Sequence, residues 1–321
     1  MLRYGHAVTI FIFLFSRAVP ACDKMTVRDA AFREERDMHR LCLIAKPDDP
    51  QAEAMAKRLD AWFGTAASDF NAKYLRVDIG DPKIQWRDYG LPSAPPSAPV
   101  AVLAGFHALE RQAFFIDHWE PEPGDEDLDI LTDSPARQRL RQELPRRIAV
   151  LLYIPSAEGE NPAAARAIEE TAAYWNRRET AGMVILRVSR ADKRERLLLA
   201  FVGVKENGAD WAALAFGRGK LMPPMQGGEI AKGRMDEQIL VLLGDCTCLR
   251  SPSSLGVDIP MLWDAAIDDG VIALRADNLA SAFASASGSW NAITSTIAAL
   301  IAFFLIAAIA GGAILWRRIP A

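Results

Sequence analysis

The sequence predicts an α/β layer fold in two successive modules, followed by one C-terminal transmembrane helix. Short apolar runs at Leu41–Ala45, Val100–Ala104 and Ile148–Ile154 alternate with segments of helical periodicity, the pattern of strands and helices packed in layers. The order strand, turn, helix, strand begins again after residue 145. The 24 positions from Ile293 to Trp316 carry no charged residue. At about 1.5 Å rise per residue such a run crosses the hydrocarbon core of a bilayer.

The two ends place the chain. Trp290 and Trp316 bracket the apolar run and Arg317-Arg318 follow it, so residues 291–316 read as the membrane helix and 317–321 as a cytoplasmic tail. At the N-terminus, Arg3 precedes an apolar run from Ala7 to Phe15 that is too short to span. Residues 1–21 therefore read as a secretory signal, cleaved after Val19-Pro20-Ala21. "VPAC" also resembles a lipobox, which makes Cys22 a candidate for lipidation, although Pro20 and the nearby Arg17 fit that pattern poorly. The polypeptide between these ends is expected on the extracytoplasmic, periplasmic side of the cell membrane. Residues 266–290 read as a linker, with "SAFASASGS" at 281–289 too small and polar to build a core. Gly311-Gly312 and the surrounding alanines suit either a lone anchor or close approach of another membrane helix.

The first module, 38–144, opens with "HRLCLIAKPDDPQAEAMAKRLDAWFG". Leu41 to Ala45 reads as a buried strand and Pro47-Asp48-Asp49-Pro50 as a turn; Met55, Leu59, Trp62 and Phe63 then recur at helical spacing. Tyr74 to Ile79 alternates as a strand, Pro82 to Tyr89 suits a short helix, and Val100 to Ala104 is a further strand. Cys42 lies inside the first strand, where a small apolar thiol packs as core. Glu120 to Asp129 is acidic, interrupted by prolines and without calcium-hand spacing, so it reads as a solvated loop. A helix follows from Pro135, capped by Ser134 or Asp133.

"VDIGDPKIQWRDYGLPSAPPSAPVAVLAG" resembles the middle of a thioredoxin: a strand ending in Val-Asp, a short helix ending in Tyr-Gly, then X-Pro before an apolar strand closed by glycine. The resemblance implies a thioredoxin-like module with Pro99 at the cis-proline position, a candidate groove where backbone meets an extended partner. The departure concerns chemistry. Lys46-Pro47-Asp48-Asp49-Pro50 stands where a thioredoxin carries Cys-X-X-Cys, so no thiol is set on the helix N-terminus that would acidify it.

The second module, 145–265, repeats the opening: a strand from Ile148 to Ile154, a turn ending in Asn161-Pro162, and a helix with Ala165, Ile168, Ala172 and Trp175 along one side. "AGMVILRVSR" supplies a strand and "LLLAFVGV" an apolar segment of undecided type. "DWAALAFGRGKLMPPM" resembles the thioredoxin hairpin, although no proline precedes Ala212 and Ser156-Ala157-Glu158-Gly159 again replaces the thiol motif. A helix from about Met235 to Leu243 is stopped by Gly244.

With 37 basic against 41 acidic residues and no basic block, the chain lacks the electrostatic footprint of a nucleic-acid binder. "GRGK" at 217–220 is too short for a phosphate loop, the four histidines include His6 in the signal, and no hydrolase or zinc-protease signature occurs. No cofactor or metal site is expected. The remaining chemistry is the pair Cys246 and Cys248. It follows a helix C-terminus and Asp245, both of which disfavour a thiolate. Outside the cytoplasm a disulfide forms readily, yet a C-X-C ring needs a bent backbone and removes little chain entropy. Four readings stay open: a local clip, which the sequence favours, a thiol–disulfide exchange site, a soft-metal pair, or two ordinary cysteines.

"DSPAR" at 133–137, "VSR" at 188–190, "FGRG" at 216–219, the cysteine pair and "GVD" at 256–258 occur in an order similar to a group of uncharacterised membrane-anchored bacterial proteins. That group has no activity to carry over. The expected function is a binding or scaffold component of a membrane assembly, such as one built around a transporter, holding a protein partner near Pro99. The alternative is a membrane-tethered thiol–disulfide oxidoreductase acting through Cys246 and Cys248.

Overall fold

Residues 25–107, 109–245 and 252–272 are described by a computed structural model. The first element, α1 (Val27–Ala30), is a single turn whose Thr26 hydroxyl accepts the Asp29 N–H. Strand β1 (His39–Ala45) is buried on both sides, with Leu41 and Leu43 in one core cluster and Cys42 and Ile44 in another, which is why it reads as an unbroken apolar run. Helix α2 (Pro50–Gly64) starts at the last residue of the expected turn, because Asp49 accepts the Gln51 and Ala52 N–H groups and Pro50 takes the first turn. Its buried face is Ala52, Met55, Ala56, Leu59 and Trp62.

Strand β2 (Ala72–Asp78) runs parallel to β1, β3 (Val100–His107) antiparallel to it, and β4 (Gln112–Trp119) forms a hairpin with β3, in the order β2-β1-β3-β4. The helix expected over 82–89 shrinks to a 3-10 turn at Trp86–Tyr89. Asp78 and Asp81 accept the N–H groups of Gly80 and Lys83, and these local turns compete with helix initiation. The Glu120–Asp129 stretch is also corrected, from loop to a helix beginning at residue 125: α3 (Asp125–Thr132) gathers Asp125, Glu126 and Asp127 in its first turn, where the dipole favours them, and buries Leu128 and Leu131. Helix α4 (Pro135–Glu143) is capped by Ser134, while Asp133 instead pairs with Arg141.

The second module repeats the pattern. Strand β5 (Ala149–Ile154), helix α5 (Pro162–Arg178) capped by Asn161, and β6 (Met183–Arg187) make a parallel unit. The undecided "LLLAFVGV" opens in helix α6 (Arg196–Phe201), whose Leu197 enters the first module's core and Leu198 the second's. Strand β7 (Trp211–Phe216) is antiparallel to β5 and pairs with β8 (Lys220–Leu221) and β9 (Met225–Gln226). Helix α7 (Lys232–Leu243) and strand β10 (Val257–Asp258) complete the module, with sheet order β10-β8-β7-β5-β6. Gly244 caps α7 in an extended conformation, φ −71°, rather than a left-handed one. In both halves a parallel β-α-β unit is followed by an antiparallel hairpin set on the first strand, the arrangement of a thioredoxin-like module. No helix among the described residues is long and apolar enough to cross a membrane; the expected span lies outside them. At the start of the expected linker, Ala265–Gly270 forms a 3-10 turn and the Ile272 N–H donates to Pro145 O.

A buried polar seam ties the two halves together. The Asp37 N–H donates to Asp258 Oδ2 at 2.8 Å and the Asp258 N–H returns a bond to Asp37 Oδ2 at 3.0 Å. Lys220 Nζ lies 3.3 and 3.1 Å from the same two oxygens. His39 Nδ1 accepts the Phe106 N–H at 3.2 Å, so the ring proton sits on Nε2 and donates to Asp258 O at 2.8 Å. Arg137, fully buried, donates to the carbonyls of Ile130, Leu131 and Pro260, and Glu195 accepts from the Ser134 hydroxyl and the Ala136 N–H. Residues of "DSPAR" and "GVD", with Lys220 directly after "FGRG", meet in this seam.

Candidate functional site

The sites to compare are the two strand-to-helix corners, where the thioredoxin resemblance locates binding. In the first module Ile44 pairs with Val100, so the next register position sets Pro99 beside Ala45, the residue feeding the Lys46–Asp49 loop. The Ala98–Pro99 peptide is cis, and so is Glu120–Pro121, which sequence reading missed; Ser97 Oγ donates to Glu120 Oε1 between them at 2.8 Å. A depression of about 550 Å³ lies against Lys46, Pro47, Asp48, Asp49, Asp78 and Gly80, and Pro99 is not part of its lining. Asp49 and Asp78 are already engaged as turn and cap acceptors.

The second corner is more fully built. A cleft of about 640 Å³ lies between the Ser156–Pro162 loop and Asn207–Asp210. Ile154 pairs with Trp211, so Asp210 takes the position that Pro99 holds in the first module. Its Oδ1 accepts from the Tyr153 hydroxyl at 3.0 Å and the Ser156 N–H at 2.9 Å. Burial, with Asp210 beside it, pushes the Tyr153 hydroxyl well above its ordinary range. Arg190, the arginine of "VSR", donates to the carbonyls of Pro155, Lys205 and Ala209 and holds the cleft walls together. Loss of solvation lowers the pKa of this guanidinium and the charge of Asp210 raises it. Ser156 Oγ bonds Gly159 O at 2.7 Å, closing the loop that replaces the thiol motif.

Among the described residues no cysteine lines either corner. Cys42 is 0% exposed in β1, and burial pushes its thiol up to about 12. Cys22, Cys246 and Cys248 lie outside the described residues. The chain leading to them is described: Thr26 bridges Asp245, and Val27 N–H donates to Gly244 O at 2.9 Å. Among the described residues no group of three or more His, Cys, Asp or Glu is arranged to hold a metal ion. Sequence reading passed over Asp210, Arg190, His39 and Lys220. A polar residue directly flanking an apolar strand was the available signal for Asp210, His39 and Lys220.

No family model matches the chain, and no curated protein matches it. Among solved structures it is similar to the zinc-bound form of human ERp44, at 11% identity and TM-score 0.24, covering 70% of this chain and 59% of that one. It is also similar to ERdj5 (10% identity, TM-score 0.23), covering 74% of this chain and 32% of that one. A third is the first two thioredoxin domains of Naumovozyma dairenensis Eps1p, at 10% identity and TM-score 0.19, covering 62% of this chain and 88% of that one. The chain therefore spans less than two thirds of the ERp44 chain and about a third of the ERdj5 chain. The fold assignment rests on strand order and direction, not on these scores.

Proposed function

We propose that this chain is a membrane-anchored extracytoplasmic binding or scaffold protein that holds a protein partner at its strand-to-helix corners without thiol chemistry. One observation carries the reading: both corners keep a depression beside the helix start while Lys46–Asp49 and Ser156–Gly159 supply no thiol. Cys42, buried and held protonated, is unsuited to exchange. The signal-like N-terminus and the apolar C-terminal run support the location, and the ordered resemblance to membrane-anchored bacterial proteins supports the anchored architecture.

Crosslinking in the native membrane from a photoreactive residue at Glu158, followed by mass spectrometry, tests this. A reproducible partner is expected, and recovery of the chain alone would count against it. Protease digestion of the ectodomain from the cytoplasmic side would overturn the orientation. Thiol trapping of Cys246 and Cys248 separates the oxidoreductase alternative: a pair that exchanges with a thioredoxin partner at a measurable potential would favour that enzyme.

A further inference from the structure

We propose that the second-module cleft receives a cationic side chain, a guanidinium or ammonium, with Asp210 as its principal counter-charge. This rests on the reading of that corner as a partner-binding face. Asp210 is only 3% exposed, yet it lines the cleft. Its Oδ1 takes two donors, and among the described residues Oδ2 accepts no hydrogen bond. Oδ2 therefore remains an acceptor open to the cleft that Asp210 lines, and a ligand donor there gains a charge-assisted bond.

The surroundings point to the same sign. Glu158 and Glu160 join Asp210 in the lining, which contains no Lys, Arg or His. Glu160 is shared with Arg187 at 3.2 Å, and Glu158 has no ion pair among the described residues. Two features oppose a cation. Arg190 lies behind the wall, but its guanidinium donates to backbone carbonyls and leaves Asp210 Oδ2 open. The N-terminus of α5 also borders the cleft, but Pro162 has no N–H and Asn161 Oδ1 already accepts the Ala163 N–H at 2.9 Å. An anion would therefore meet three carboxylates for little return. The volume, about 640 Å³, admits a side chain with its flanking backbone.

The test is calorimetric titration of the full chain in detergent with two acetylated, amidated pentapeptides, one with arginine and one with glutamine at the centre of alanines. The arginine peptide is expected to bind at least about tenfold more tightly, with the advantage shrinking as salt rises. Asp210→Asn keeps the Oδ1 acceptor for Tyr153 and Ser156, so its melting temperature should stay close to that of the parent while the preference disappears. Equal affinity for the two peptides, no binding of either, or an unchanged preference in Asp210→Asn would each overturn the proposal. If that variant fails to fold, the peptide comparison and its salt dependence in the parent chain decide. A partner crosslinked through the cleft by a segment without Lys or Arg overturns the cation and leaves the binding reading standing. Absence of both a crosslinked partner and peptide binding overturns both.

Discussion

Replacing His39 by glutamine should abolish an acid-dependent loss of stability that originates in the seam between the modules. His39 is 0% exposed and neutral, accepting from Phe106 and donating to Asp258. A second proton would fall on Nδ1, against the Phe106 N–H, and remove that bond. Loss of solvation is the largest influence on the ring, Asp258 O and Asp37 oppose it, and Arg36 and Lys220 reinforce it; together they depress the pKa from 6.5 to about 4. A base depressed in the fold stabilises fully above pH 6.5, and that contribution is lost as pH falls towards about 4. At about 1.36 kcal/mol per pH unit the whole effect is about 3 kcal/mol, of which about 2 kcal/mol is gone at about pH 5. Asp258 and Glu34, whose pKa values burial raises, contribute the opposite slope in both chains, so the difference between parent and His39→Gln isolates the histidine. Urea unfolding of both chains at pH 7.5 and pH 5, followed by tryptophan fluorescence, measures it. Parallel losses in the two, within about 0.5 kcal/mol, would refute the reasoning, since that is the scatter expected of independent sites.

Other expectations follow from the same structure. Lys220→Met removes the ammonium that pairs with both Asp37 and Asp258, and should cost about 3–5 kcal/mol at neutral pH. Because the Asp258 carboxyl already has a raised pKa, acidification should narrow that deficit in the same unfolding assay. Cys42 should resist maleimide in the native protein at pH 8 and react once urea unfolds it; native labelling at the rate of a free thiol would contradict its place in β1. Gly90→Ala should destabilise by more than about 1 kcal/mol, because φ is +73° and a Cβ would stand 2.5 Å from the Phe114 backbone. Asn161→Ala should lower stability by about 1 kcal/mol through the lost cap of α5, with a small drop in melting temperature as the readout.

Much of the secondary structure was legible because its causes are local. Asp49-Pro50, Ser134-Pro135 and Asn161-Pro162 announce helix starts through chemistry complete within a few residues. Strands such as β5 show as apolar runs because every one of their residues is buried. Strand β4 was missed because its ladder with β3 shifts register at Leu103/Ala104 and its exposed Phe115 breaks the alternation. Helix α3 was hidden by its own acidic first turn, since charges that complement a helix N-terminus look like a solvated loop when only composition is read.

By itself the sequence determined the α/β class, the repeated module, the absent thiol motifs and the apolar ends, all of which follow from periodicity, turn chemistry and counting. Tertiary structure alone decided that Leu197 and Leu198 enter different cores, that Asp258 bonds Asp37 and His39 about 220 positions away, and that Asp210 faces the Ser156 corner. Burial is the reason. A polar side chain shows its chemistry in sequence only when its partner is a neighbour, and in the seam and the cleft the partners come from other elements, brought together by the packing of two sheets.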